Sequence, residues 1–129
     1  MTIREMLQQV ALFSDGKFVR ENGKDSLLVP LPGGRKQIIY SREDHHRDEP
    51  VGILYTYVGE MDGTTGAREF LELNRLLRYS RIALEGSRIM LIATFSLRYT
   101  SINECAPILQ ELAAIADELE RQYFGEDIT

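Results

Sequence analysis

Apolar side chains at Ile3, Met6, Leu7, Val10 and Ala11 recur at intervals of three and four residues, a spacing that predicts an amphipathic helix of about three turns. Thr2 and Glu5 flank its start as a capping box, and Gly16 is placed to supply a left-handed stop. The period then changes. Asn22-Gly23 separates Lys17–Arg20 from Ser26–Leu31 and predicts a hairpin, whose second arm is held to an edge or a strand end by Pro30 and Pro32. Gly33-Gly34 makes the next turn, before a strand over Arg35–Ser41. Residues 41–50 hold no aliphatic side chain and six charged ones, which predicts a solvated loop. A strand over Val51–Met61 follows, and Asp62–Gly66 breaks the chain.

The spacing of Phe70, Leu73, Leu76 and Leu77 predicts a second helix over Ala67–Tyr79 with these side chains in the core. Two strands, Arg81–Glu85 and Arg88–Leu97, surround a tight turn at Gly86-Ser87. Ser101 and Glu104 form another capping box, but Pro107 is awkward beyond a first turn. The last helix therefore begins at Asn103 or follows a short irregular turn. Ile108, Leu112, Ile115, Ala116, Leu119 and Tyr123 carry its apolar face towards Gly125. The order α-β-β-β(-β)-α-β-β-α, with links too short for crossovers, predicts an antiparallel α+β fold. A chain of 129 residues without an internal linker reads as one domain, 1–129.

An antiparallel sheet with one wet face alternates apolar and polar residues, and two strands depart from that rule. Ile89, Leu91, Ala93, Phe95 and Leu97 form a core side, yet the opposite side begins with Met90 and Ile92 before Thr94 and Ser96. Leu54, Thr56 and Val58 likewise oppose Ile53, Tyr55 and Tyr57. Either three helices cover both faces, or part of the second face meets another chain. Tyrosine suits such a place because it joins contact area to a polar tip. The candidate dimer- and partner-contact residues are therefore Ile53, Tyr55, Tyr57, Met90 and Ile92. The homodimer expected from them uses the Met90/Ile92 side of the last hairpin and part of the second helix.

Composition is that of an ordinary globule, with 43% hydrophobic and 27% charged residues. A net charge of -5 has the wrong sign for a nucleic-acid footprint. The charge is uneven: residues 103–127 carry a net -6 and residues 66–88 a net +2, as two solvated helix faces or as a charged groove. The N-terminal segment lacks an apolar signal core, and the longest mostly apolar run, Ile89–Leu97, is far short of a membrane span. A cytoplasmic location without membrane insertion is the expectation.

Candidate chemistry is sparse. The segment from Arg42 to Glu49 is the only cluster of metal-type ligands; His45 and His46 could share an ion from a loop, but rarely from a strand. The single Cys105 excludes an intrachain disulfide; near a helix start it is either an activated thiol or a small buried hydrophobe. Gly33-Gly34 and Gly63-x-x-Gly66 lack a Walker lysine or a longer glycine fingerprint, and turn chemistry explains both. Glu69/Glu72 and Glu118/Glu120 read as solubilising pairs. No catalytic motif is present and no cofactor is implied.

The segment Tyr57-Val-Gly-Glu-Met61, continued by Gly66-Ala-Arg-Glu-Phe-Leu-Glu-Leu-Asn74, joins a glycine-ended strand to a helix carrying Leu-x-x-Asn. A strand with Ile82 and Leu84, a turn at Gly86, a strongly apolar strand and an acidic helix follow. This arrangement resembles the type III secretion chaperone-like superfamily, including its YbjN-like branch, over nearly the whole chain. The resemblance implies a small, acidic, cytoplasmic, non-enzymatic homodimer that holds an extended segment of an unidentified partner protein. Asn74 is a poor mid-helix residue, and its amide is expected to bond neighbouring backbone and lock the helix to a strand. The leading reading is a non-catalytic chaperone-like or adaptor dimer. The alternative is a small-ligand or metal-sensing domain using the 41–50 segment or the helix start at Thr64–Gly66, and a third is an enzyme using Cys105.

Overall fold

A computed structural model describes residues 1–61 and 66–124. Helix α1 spans Ile3–Ser14. Its capping box forms: the Thr2 hydroxyl accepts the Glu5 N–H at 3.1 Å and the Glu5 carboxylate accepts the Thr2 N–H at 2.9 Å. The left-handed stop falls on Asp15 (φ 58°) rather than on Gly16. Aspartate tolerates that conformation, while Gly16 leaves space that the Leu27 side chain fills.

Six strands follow: β1 Lys17–Glu21, β2 Lys24–Pro30, β3 Lys36–His46, β4 Glu49–Glu60, β5 Arg81–Glu85 and β6 Arg88–Ser96. They form one antiparallel sheet in the order β1-β2-β3-β4-β6-β5. Residues 41–50, expected as a solvated loop, are instead the far half of the β3–β4 hairpin, paired from Arg42↔Ile53 to His46↔Glu49. Arg47 (φ 50°) and Asp48 (φ 66°) make its two-residue turn, both in the left-handed region that such turns require. Arg42 to Asp48 are all exposed, with Glu43 Oε1 accepting the Ile3 N–H at 3.0 Å, so polar side chains are tolerated on both faces there.

The second helix is shorter than its periodicity suggested. Helix α2 covers Ala67–Leu73, and a tighter 3-10 turn covers Asn74–Leu76. Phe70 is buried, Leu73 and Leu77 are half-buried, and Leu76 is 72% exposed rather than in the core. Asn74 explains the change: its Oδ1 accepts the Ile82 N–H at 2.6 Å and its Nδ2 donates to the Ile82 carbonyl at 3.4 Å. The amide thus stands in for a neighbouring strand at edge strand β5. The expected break at 62–65 lies outside the described residues.

Helix α3 runs Ile102–Tyr123 from the Ser101/Glu104 capping box, so it starts before Asn103, and Pro107 sits inside it. The lost bond would have gone to the carbonyl of Asn103, an exposed residue where water can replace it. All three helices pack on one face of the sheet: α1 against β1 to β3, α3 against β3, β4 and β6, and α2 against β5. A single core joins Met6, Leu7, Leu54, Leu91, Leu112 and Ala116 with their neighbours. Gly59 lies where a Cβ would sit 2.7 Å from the Phe124 ring, so its bareness admits that ring beside Phe70.

Glu111 of α3 fastens the stretch before β5. Its carboxylate accepts the backbone N–H groups of Arg78, Tyr79 and Ser80 and the Ser80 hydroxyl, all at 2.8–2.9 Å. Burial alone would push its pKa up, but these four donors together hold it below the ordinary 4.5. A folded-state pKa below the unfolded one stabilises at higher pH, and that contribution disappears as pH falls through the folded value. Glu111→Gln is therefore expected to lower the urea midpoint at pH 7 and to flatten the loss of stability below pH 4.5; an acid limb of unchanged slope contradicts this role. Asn74→Ala, which removes both bonds to Ile82, is expected to cost about 1–3 kcal/mol in the same measurement with an unchanged m value.

Candidate partner-binding surface

Among the described residues, no helix packs on the face of the sheet away from α1, α2 and α3. Cross-strand register arranges the side chains of that face in rows: Val19–Ser26–Tyr40–Tyr55–Ile92–Arg81 forms one, and Tyr57–Met90–Ala83 lies in the next. Ile53 sits one position further along, beside Arg42 and Thr94. Tyr40, Tyr55 and Tyr57 form a ring cluster with centroids 5.5, 5.7 and 5.8 Å apart. The Arg88 guanidinium carbon lies 3.4 Å from the Tyr57 ring centroid and that of Arg42 lies 6.0 Å from Tyr55. Burial raises the pKa of Tyr57, and so does its hydrogen bond to the Glu85 carboxylate at 3.0 Å.

All five residues singled out from the sequence lie on this face. Ile53 and Met90 are buried under their neighbours, whereas Tyr55, Tyr57 and Ile92 are half-buried. Neither Ile53 nor Met90 joins the core beneath the helices. Sequence reasoning missed Tyr40 and Ile38, the latter 43% exposed; the alternation of Ile38 and Tyr40 with Gln37 and Ile39 carried the signal.

Pairing of β3 with β4 ends at Tyr40↔Tyr55. Beyond it, side chains replace the ladder: Gln37 Nε2 donates to Thr56 Oγ1 at 2.8 Å, the Tyr57 carbonyl at 3.3 Å and Glu120 Oε1 at 3.2 Å, while the Thr56 hydroxyl donates to the Ile38 carbonyl at 2.8 Å. Glu120, read from the sequence as solubilising, thus belongs to a buried network. The widened seam opens a cavity of about 240 Å³ lined by Lys36, Ile38, Tyr40, Tyr57 and Arg88.

At the β5 edge, a cavity of about 140 Å³ between α2 and the strand is lined by Met61, Phe70, Leu71, Ile82, Leu84 and Ile89. Leu71 and Leu84 are 62% and 53% exposed. Of the Gly63-x-x-Gly66 turn and the helix start at Thr64–Gly66, Gly66 alone is among the described residues, and it makes no side-chain cap to α2. His45 and His46 occupy consecutive strand positions, which present side chains to opposite faces. The hairpin removes the loop freedom on which joint coordination rests, and among the described residues no three His, Cys, Asp or Glu side chains gather around a common point.

No protein-family profile and no curated protein matches the chain. Among solved structures it is similar to the Yersinia pestis type III secretion chaperone SycH, crystallised in complex with a stable fragment of YscM2. The likeness has a TM-score of 0.60 at 15% identity and covers 92% of this chain and 97% of SycH. The chain has the secretion-chaperone-like α+β fold that the sequence resemblance implied. No helix among the described residues is long and apolar enough to cross a membrane.

Cys105 is fully buried on α3, and burial pushes its thiol up to about 12. At pH 8 almost none of it is thiolate, the reactive form. The native protein is expected to leave Ellman's reagent unreacted over minutes and to release one equivalent of product in denaturant; rapid reaction while folded would restore the nucleophile reading.

Proposed function

We propose that this chain is a non-catalytic, chaperone-like homodimer that holds an extended segment of a partner protein in the cytoplasm. The observation that carries the reading is the uncovered sheet face, where Ile38, Tyr40, Tyr55, Tyr57 and Ile92 gather without a helix to shelter them. The fold likeness to a secretion chaperone crystallised with a partner fragment supports it. Tyrosine rings give a flexible segment wide contact at small entropic cost, and the seam between β3 and β4 adds polar groups at its margin.

In this reading self-association uses the β5 side. Leu71 and Leu84 are exposed around the apolar cavity beside α2 and Leu76 is exposed on the 3-10 turn that follows, and Met90 and Ile92 lie on the adjoining strand. The partner segment occupies Ile53, Tyr55 and Tyr57, further from that edge.

Sedimentation velocity at micromolar concentration is expected to show a dimer that becomes monomeric in Leu71→Glu/Leu84→Glu. A persistent monomer in the parent protein overturns the assembly. An array of 15-residue peptides of varied composition is expected to contain binders lost by Tyr55→Ser/Tyr57→Ser, with unchanged far-ultraviolet circular dichroism as the folding control. An array without binders overturns the function.

A further inference from the structure

We infer that β1 is a second self-association edge, at which two copies of the chain join antiparallel across a two-fold axis at Val19. This edge lies at the border of the sheet opposite β5 and does not depend on the β5 interface proposed above. The two-residue turn Asn22-Gly23 makes Glu21 and Lys24 a hydrogen-bonded pair, and Val19 then bonds inward to Ser26. The N–H and C=O groups of Phe18 and Arg20 therefore point out of the sheet. Among the described residues no backbone bond outside the ladder reaches them. At Ile82 of β5 the corresponding groups are held by Asn74.

The occupant follows from the order of charges in Lys17-Phe18-Val19-Arg20-Glu21. Charged side chains usually protect a short edge by repelling foreign strands, but this set is complementary to itself. Antiparallel pairing centred on Val19 puts Lys17 opposite Glu21 of the second copy and Phe18 opposite its Arg20, each twice over. Sliding the register by two residues sets Arg20 against Arg20 or Lys17 against Val19. Within one chain Glu21 faces Lys24, and Arg20 shares Asp25 with Arg4. Lys17 faces Leu28, with Ser26 and Pro30 on the diagonals, so β2 gives it no counter-charge. In the pair, Glu21 lies between two lysines and Lys17 gains the carboxylate that its own sheet lacks. About four backbone bonds and two exposed ion pairs support a weak association, with a Kd on the order of 100 µM. A two-fold contact uses up both β1 edges, so the joined sheet stops at the two β5 strands.

Sedimentation equilibrium of Leu71→Glu/Leu84→Glu, in which the β5 contact is disrupted, tests this between about 10 and 500 µM. That variant is expected to dimerise weakly, half-associated at roughly 100 µM. Adding Arg20→Pro removes an outward N–H and leaves the inward ladder bonds intact, and should weaken the association about tenfold or more. Lys17→Glu and Glu21→Lys, each made in the same background, should be monomeric alone and associate when mixed, because only the mixture restores both charge pairs. Far-ultraviolet circular dichroism checks the fold of every variant. A background variant that stays monomeric throughout overturns the inference. So does association that Arg20→Pro leaves unchanged, or charge variants that associate as well alone as mixed. Array peptides whose binding Arg20→Pro abolishes, in a protein that does not self-associate, assign the edge to a foreign strand and also overturn it. The β5 assembly is read separately, in the parent protein at micromolar concentration, so either interface can fail without the other.

Discussion

Three helices stacked against one side of a six-stranded sheet leave the other side to shelter itself, and the rest of the molecule follows from that asymmetry. On the covered side, the alternate residues of β3, β4 and β6 meet α1 and α3 in one continuous core. On the bare side, Tyr40, Tyr55 and Tyr57 lie over one another and bring Ile53 and Met90 below a tenth exposed without any second layer. Rings that pack edge and face among themselves keep apolar area from water, and Tyr40, Tyr55 and Tyr57 stay half-buried, with Arg88 over the Tyr57 ring.

Helix α3 holds this one-sided arrangement together through polar contacts as well as apolar ones. The Asp117 carboxylate oxygens lie 3.0 and 3.1 Å from Arg35 Nε at the start of β3. Glu120 reaches Gln37 two residues later, and Glu111 grips the backbone before β5. These contacts tie β3 and the stretch before β5 to a single helix. They also explain an acidic helix that, in sequence, looked merely solubilising: several of its carboxylates are structural, each accepting from a side chain or backbone group of another part of the chain.

Element types were legible wherever one face was buried and the other wet, as in α1 and α3, because the apolar period then reports the geometry directly. The β3–β4 tip was illegible for the opposite reason. Both of its faces are exposed, so Arg42 to Glu49 carries no alternation, and Arg47-Asp48 lacks the glycine that usually marks such a turn. Leu76 misled because Asn74 tightens the helix before its period reaches that residue, although the bond from Asn74 to a strand was itself readable from a polar amide in a poor helical position. For the candidate surface, the second apolar face of β4 and β6 was visible in sequence, whereas its extension to Tyr40 depended on which strands become neighbours, and strand order is not written in local pattern.

The substitution of an asparagine amide for a missing strand has a consequence for the molecule's solubility. An outer strand with free donors and acceptors is a template on which further strands can grow, and growth of that kind has no natural end. By occupying both backbone groups of Ile82, Asn74 closes that position on β5, and a strand arriving there must displace it first. At that position on β5 the border is thus denied to an incoming strand, while the tyrosine-bearing face is left half-exposed.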